Sequence, residues 1–447
     1  MAGAERPVGE RGVLILPEWL VTSHDAPPRR DWGLRVVDSR IAEVGPAAQL
    51  IAAHPDDERV DAPRRVALPG FVNTHVHLYG VLAHGIATAT APDGFWSFLE
   101  SYWWPQVEDA IDAEMIAVAA DWVCAEMLCS GTTTFYDILE APHALPDALL
   151  TEKEVVERRG LRGVLSFEAT ERAGPEIAAA GLRENLDLIA ACRGGDLVSG
   201  LMCYHATFTC SGEFIRRAFE LAAGQGVLTH AHANEGTYEG LWCKQRFGKS
   251  TFEYYDDLGV ASPSFLASQC VQLTDRDRAI IAERGIRVSH MPLSNCEVGG
   301  GIAPVPELIE AGVPVGLGSD GYINDFYEVM RAAFLLHKAR RLDPGVMPAA
   351  TVLGLATEGG AGVLGLDRVG RLDVGWSADL QLVDSDLATP VTAHNLVEQL
   401  VLWRNHSNVS DVMVAGRWRV RNRELLGADI DQMRARVHEQ ANRLWHR

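Results

Sequence analysis

Residues 67–78 read Ala-Leu-Pro-Gly-Phe-Val-Asn-Thr-His-Val-His-Leu, an apolar, β-prone run that closes on two histidines one residue apart. Side chains alternate along a strand, so His75 and His77 share a face and can hold one ion between them. Working outward, seven more short β-rich runs follow: Thr132–Asp137, Arg162–Glu168, Val198–His205, Val227–His232, Phe265–Gln269, Ile286–His290 and Val313–Asp320. Stretches of helical period separate them, and each interval holds a strand, a helix and two loops. Parallel strands need crossover helices, and eight successive βα units close most naturally into a (β/α)8 TIM-like barrel. An open doubly wound sheet is the alternative, but no glycine-rich phosphate turn follows the first strand.

The flanks differ from this middle. GVLIL (12–16), WGLRVVDSR (32–40) and IAEVG (41–45) are β-like at one end; GRLDVGWSADLQLV (370–383) and DVMVAGRWRVRNREL (411–425) are β-like at the other. Neither flank can bury a core alone, so residues 1–66 and 367–447 are expected to form one small composite β-sandwich beside a barrel of residues 67–366. His394–Arg404 and Asp429–Trp445 read as helices. Forty Lys and Arg against sixty Asp and Glu leave a net charge of −20, which repels phosphate backbones and anionic leaflets, so neither nucleic acid nor membrane is an expected partner. The opening MAGAERPVGERG has no apolar leader core, and no window is apolar enough for a membrane span; a cytoplasmic protein is expected. Eight scattered cysteines without a CxxC pair suit free thiols better than disulfides or a thiolate zinc site.

Several runs end in residues able to bind metal: His75 and His77, His205, His232, His290 and Asp320. An HxH pair alone is weak evidence among 15 histidines, since packed histidines produce the same pattern. Strand ends of a barrel share one face, however, and His75, His77, His232 and Asp320 then make a His3Asp donor set suited to zinc, with iron or manganese as alternatives.

With PGFVNTHVHL (69–78), SGTTTFYD (130–137), THAHANE (229–235), MPLSN (291–295), GIAPVPELIEAGVPVGLGSDG (301–321) and GRLDVGWSADLQLVD (370–384), nearly the whole chain resembles the amidohydrolase superfamily. The likeness is to its branch of cytosine, guanine, 8-oxoguanine and S-adenosylhomocysteine deaminases, triazine hydrolases and SsnA-like aminohydrolases. It implies a metallo-barrel with a composite sandwich, in which His75, His77, His232 and Asp320 carry the metal. It also implies a homodimer or homotetramer and a small heterocyclic substrate that loses an amino group as ammonia. Glu235, in the HxxE spacing after His232, would shuttle a proton to ring nitrogen and leaving group, and Asp320 would take a proton from the attacking water. Binuclear relatives use a carboxylated lysine at the end of the fourth strand; Val198–His205 has no lysine, so one divalent ion per chain is expected. His205 would contact substrate, and His290 would hydrogen-bond substrate or Asn295; a packing role fits either histidine as well.

One residue departs from the family's pattern. Relatives end the sixth strand in a histidine within a run like LLAHCVWLT, and here FLASQCVQLT (265–274) puts Gln269 in that slot. An amide can orient a water but cannot take up its proton. Three readings stay open: a deaminase that leaves proton transfer to Glu235 and Asp320, a metal-dependent hydrolase of another bond (C–Cl, amide or ring C–N), or a metal-retaining binding protein without turnover. The loop after the first strand concentrates Tyr79, Phe95, Trp96, Phe98, Tyr102, Trp103 and Trp104 in a chain that is only 7% aromatic. Flat π-faces suit a planar ring, and Tyr79 and Trp96 are the expected contacts, although Trp96, Leu99 and Trp103 also fit the packed face of a helix.

Overall fold

The computed structural model describes residues 11–87, 92–195 and 197–446; residues 1–10, read above for a leader, lie outside the described residues, as does Arg447. Eight parallel strand positions form its centre: β1 Phe71–Val76, β2 Thr132–Leu139, β3 Arg162–Phe167, β4 Val198–Gly200 continuing as Met202–Cys203, β5 Thr229–Ala233, β6 Phe265–Gln269, β7 Arg287–His290 and β8 Val315–Leu317. The first half of β4 pairs with β3 in a four-stranded sheet, and its second half opens a five-stranded sheet that runs to β8. Isolated parallel bridges link the two sheets at Ala169–Tyr204 and Val76–Asp320. The second bridge ties the end of β1 to the residue that follows β8 and Gly318-Ser319. Strand ends thereby converge on one face.

The expected first strand begins four residues earlier, at Ala67. Pro69-Gly70 ends the preceding strand, Glu58–Pro69, and a side chain on Gly70 would meet Thr133 at 2.2 Å, so only glycine lets the chain turn there into β1. β1 and β2 are buried at every position, as parallel strands covered on both faces must be. Crossover helices follow: Ala113–Cys129 is capped by the Asp112 carboxylate, and Asp275–Arg284 by a Thr274–Asp277 capping box.

Strands from both ends of the chain meet in one hydrogen-bonded nine-stranded mixed sheet. The join is antiparallel pairing of Glu58–Pro69 with Leu380–Asp384, Pro69 opposite Leu380 and Arg65 opposite Asp384. Ile15, Leu34, Val36, Ile41, Leu380, Leu382 and Met413 form its buried core. The final helix, Ile430–Trp445, packs on Ala113–Cys129, and the Trp445 indole donates to Leu82 O at 2.7 Å. Among the described residues no helix is long and apolar enough to cross a membrane.

Candidate active site

The carboxyl ends of β1, β5 and β8 bring His75, His77, His232 and Asp320 together. His75 Nε2 and His77 Nε2 lie 3.3 Å apart, and His77 Nε2 is 3.6 Å from Asp320 Oδ1. Ring nitrogens of His75, His77 and His232 all fall within 4.8 Å of one another. Each imidazole is anchored through its other nitrogen: His77 Nδ1 donates to Ile138 O at 2.6 Å, His232 Nδ1 to Glu168 Oε1 at 2.7 Å, and His75 Nδ1 meets Ser268 Oγ at 2.7 Å. Behind Ser268 stands His230, its Nε2 2.5 Å from the same hydroxyl. With Nδ1 so fixed, the lone pairs on Nε2 face inward. Two nitrogens bound to one tetrahedral zinc at ~2.0–2.1 Å sit about 3.3 Å apart, so the observed spacing fits a divalent ion.

Burial drives His75 well below the ordinary imidazole range, keeping it neutral as a ligand must be. Burial also opposes charge on His232, yet the adjacent Glu168 carboxylate lifts it to about 9; an ion on Nε2 would leave the remaining proton on Nδ1, where Glu168 accepts it. Asp320 is partly buried, and burial opposes its charge, but His75, His77 and the Gln269 amide hold it below the usual carboxylate range. Its Oδ2 accepts from Gln269 Nε2 at 2.8 Å and Ser294 Oγ at 2.9 Å, and its Oδ1 from Gly321 N at 2.7 Å. Gln269 has no exposed surface, and its Oε1 accepts from Asn295 Nδ2. Both ends of the amide are therefore occupied by protein.

A cavity of about 460 Å³ opens over these groups, lined by His77, Glu168, His205, His232, Glu235, Ser294 and Asp320 on the strand side. Burial, reinforced by the Asp320 charge, pushes the Glu235 carboxyl up to about 8, so it carries a proton at neutral pH beside an ionised Asp320. Burial drops His205 to about 3, and its Nδ1 pairs with Thr209 Oγ1 at 2.7 Å. The opposite wall is Phe95, Phe98, Leu99, Tyr102 and Trp103. Positions i, i+3, i+4, i+7 and i+8 form one helical face, and the chain from Phe95 to Gln106 is helical with a π turn at Leu99–Trp103.

Four expected substrate contacts lie off this cavity. Trp96 points from the neighbouring face and stacks on Tyr238 at 4.4 Å. Tyr79 is buried, its hydroxyl donating to Glu108 Oε1 at 3.1 Å. His290 is also buried, Nε2 to Nε2 with His337 at 3.2 Å, and Asn295 reaches the site only through Gln269.

A model of the amidohydrolase family matches residues 66–419. A 5-methylthioadenosine/S-adenosylhomocysteine deaminase of Syntrophobacter fumaroxidans is 33% identical over 436 residues, 96% of this chain and 97% of the relative. The chain belongs to the amidohydrolase family. It is thus a hydrolase of carbon–nitrogen bonds other than peptide bonds. This amidohydrolase is also 33% identical, over 92% of each chain, to a 5′-deoxyadenosine deaminase of Methanosarcina barkeri. Its fold matches a zinc-bound adenosine deaminase from Xanthomonas campestris with a TM-score of 0.89 at 26% identity, covering 97% of this chain and 98% of that one. An α/β fold of TIM-barrel type and a divalent metal follow from these likenesses.

Three features of the amidohydrolase site are missing from the sequence reading. Glu168 hydrogen-bonds His232, Ser294 hydrogen-bonds Asp320, and the Ser268–His230 pair stands against His75 Nδ1. Glu168 does end a predicted strand, and that position was its available signal. Arg172, over the Trp104 ring, binds Glu108, Asp109 and Glu140 at 2.7–3.0 Å.

Proposed function

We propose that this amidohydrolase is a mononuclear metal-dependent deaminase acting on an amino-substituted N-heteroaromatic ring of the adenosine type. The observation that carries the reading is geometric: one cavity in which the Glu235 and Asp320 carboxyl groups flank three histidines whose free nitrogens converge. One divalent ion, zinc by the company of its relatives, would be held by His75, His77, His232 and Asp320, and when bound it would supply Lewis acidity that polarises the attacking water. The absence of a lysine from β4 supports one ion rather than two. At the level of fold, the bridges that link the two parallel sheets support the closed (β/α)8 barrel expected over residues 67–366, with residues 67–69 passing instead to the terminal sheet. The shared terminal sheet supports a composite domain from 1–66 and 367–447.

Asp320 accepts a proton from the water as it adds to the amino-bearing carbon, with its carboxylate aimed by Gln269, Ser294 and the Gly321 amide. Glu235 gives its proton to the ring nitrogen, which lets the ring accept electrons from the attacking oxygen. The C–N bond then breaks, the amino group leaves as ammonia with protons returned through the same two carboxyl groups, and the ring keeps an oxo group. Gln269 positions Asp320, because its amide has no end left for substrate. The wall from Phe95 to Trp103 offers π-faces to the ring.

Ammonia release across a panel of purines, their nucleosides, pterins, pyrimidines and triazines tests the reading. Release from a purine nucleoside is expected, with an oxo product of matching amount. Hydrolysis of a chloro or amide bond without ammonia from any amino-substituted ring would overturn it, and heat stabilisation by ring compounds without turnover would point to a binding protein.

A further inference from the structure

The hydrolytic chemistry leaves half of the Glu168 carboxylate unused. Glu168 follows β3, is 1% exposed and lines the cavity. Its Oε1 accepts from His232 Nδ1 at 2.7 Å, and no described residue hydrogen-bonds Oε2. Its carboxylate, a nitrogen of His205 and one of His232 lie within 4.8 Å of one another, so the group stands beside the ring pocket rather than behind it. The remaining acids of the lining are Glu108, Glu235, Glu297 and Asp320, and among the described residues no lysine or arginine lines it. The Arg172 guanidinium is spent on Glu108, Asp109 and Glu140. A carboxylate oxygen can only accept, and a buried acceptor that a ligand leaves unpaired weakens binding.

Glu235 and Asp320 already serve the ring nitrogen and the attacking water. We propose that Glu168 is a specificity-determining residue whose Oε2 accepts a hydrogen bond from a second N–H donor on the substrate ring, distinct from the amino group that leaves. The substrate is then a diamino- or amino-oxo-heterocycle without a carboxylate or phosphate against this wall. The ring of adenosine, with N9 substituted, offers only acceptors once its amino group is at the reacting carbon, whereas the ring of 2,6-diaminopurine riboside keeps a donor. This inference rests on the deaminase reading.

The test compares kcat/KM for adenosine and for 2,6-diaminopurine riboside on zinc-loaded enzyme, in the native protein and in Glu168→Gln, with metal content measured in both. The diamino substrate should lead by about tenfold or more in the native protein, as sites built for a hydrogen bond reject analogues that lack it. In Glu168→Gln the amide carbonyl can keep the His232 Nδ1 hydrogen, which turns the NH2 toward the ring, so the lead should vanish or reverse while zinc stays bound. A residue that only holds His232 would slow both substrates alike; an unchanged ratio overturns the proposal, as does a native preference for adenosine. Dissociation constants of purine riboside and 2-aminopurine riboside, neither of which carries a 6-amino group or a ring N–H, give a second readout. 2-Aminopurine riboside should bind the native protein more tightly and lose that advantage in Glu168→Gln, and equal affinities overturn the proposal. If neither nucleoside releases ammonia the deaminase reading fails, and the two affinities still decide the role of Glu168.

Discussion

Glu235 must hold a proton where its neighbours are a buried imidazole and an ionised carboxylate. Burial and the Asp320 charge provide for this by moving its carboxyl up to about 8. The sign follows directly: a raised carboxyl is protonated, and able to donate, below that value, and loses the proton as pH rises through it. A divalent cation nearby favours the carboxylate, so in the loaded enzyme kcat/KM should fall through a limb at or below about pH 8. Glu235→Gln keeps shape and metal but cannot transfer a proton; turnover should drop roughly 10²-fold or more and the alkaline limb should disappear. Near-native turnover in that variant would remove Glu235 from the mechanism. The residue itself was legible in the HxxE spacing, and so were the three histidines, because strand alternation places His75 and His77 on one face. Glu168 was not, since its role depends on a tertiary contact with His232 across 64 positions of sequence.

At the scale of elements, the end of β6 shows how a substitution in the family's pattern is absorbed. Gln269 and Cys270 take positive φ of 74° and 49°, which swings the Gln269 amide toward Asp320 instead of leaving it on the strand's regular face. Asn295, within the short helix Pro292–Glu297 after β7, fixes its other end. Histidine tolerates such a backbone better than most residues, so Gln269→His should fold and keep its metal. It introduces a group that titrates near ~6.5 in place of a neutral amide against Asp320. Activity should fall about tenfold and gain a new pH dependence between about 6 and 7. Equal activity with an unchanged pH profile would show that Gln269 does not aim Asp320. The helical segment Phe95–Gln106 was legible as aromatic and helical, but not in phase: Trp96 sits one residue beyond the Phe95, Phe98, Leu99, Tyr102, Trp103 face. A period of 3.6 cannot announce which stripe meets the pocket when aromatics occupy both.

At the scale of the molecule, the order of eight strands could be read from βα spacing, because crossover length and burial leave few alternatives. The precise start of β1 could not, since it depends on Gly70 passing within contact distance of Thr133, a neighbour in the next strand. Nor could the join of the terminal strands be read: both flanks are visibly β-rich, yet only pairing across more than 300 residues, Pro69 with Leu380, decides how they meet. The same long-range closure builds the candidate site, for the Val76–Asp320 bridge brings Asp320 beside the first histidines. The central claim, a deaminase that depends on one ion held by that closure, is tested most directly by titrating metal-stripped protein with zinc while following ammonia release from 2,6-diaminopurine riboside and adenosine. Ammonia release should rise from background and break at one zinc per chain, and in His232→Ala it should stay at background across the same range. Full activity in the stripped protein, a break at two zinc ions, or an undiminished His232→Ala would contradict the account.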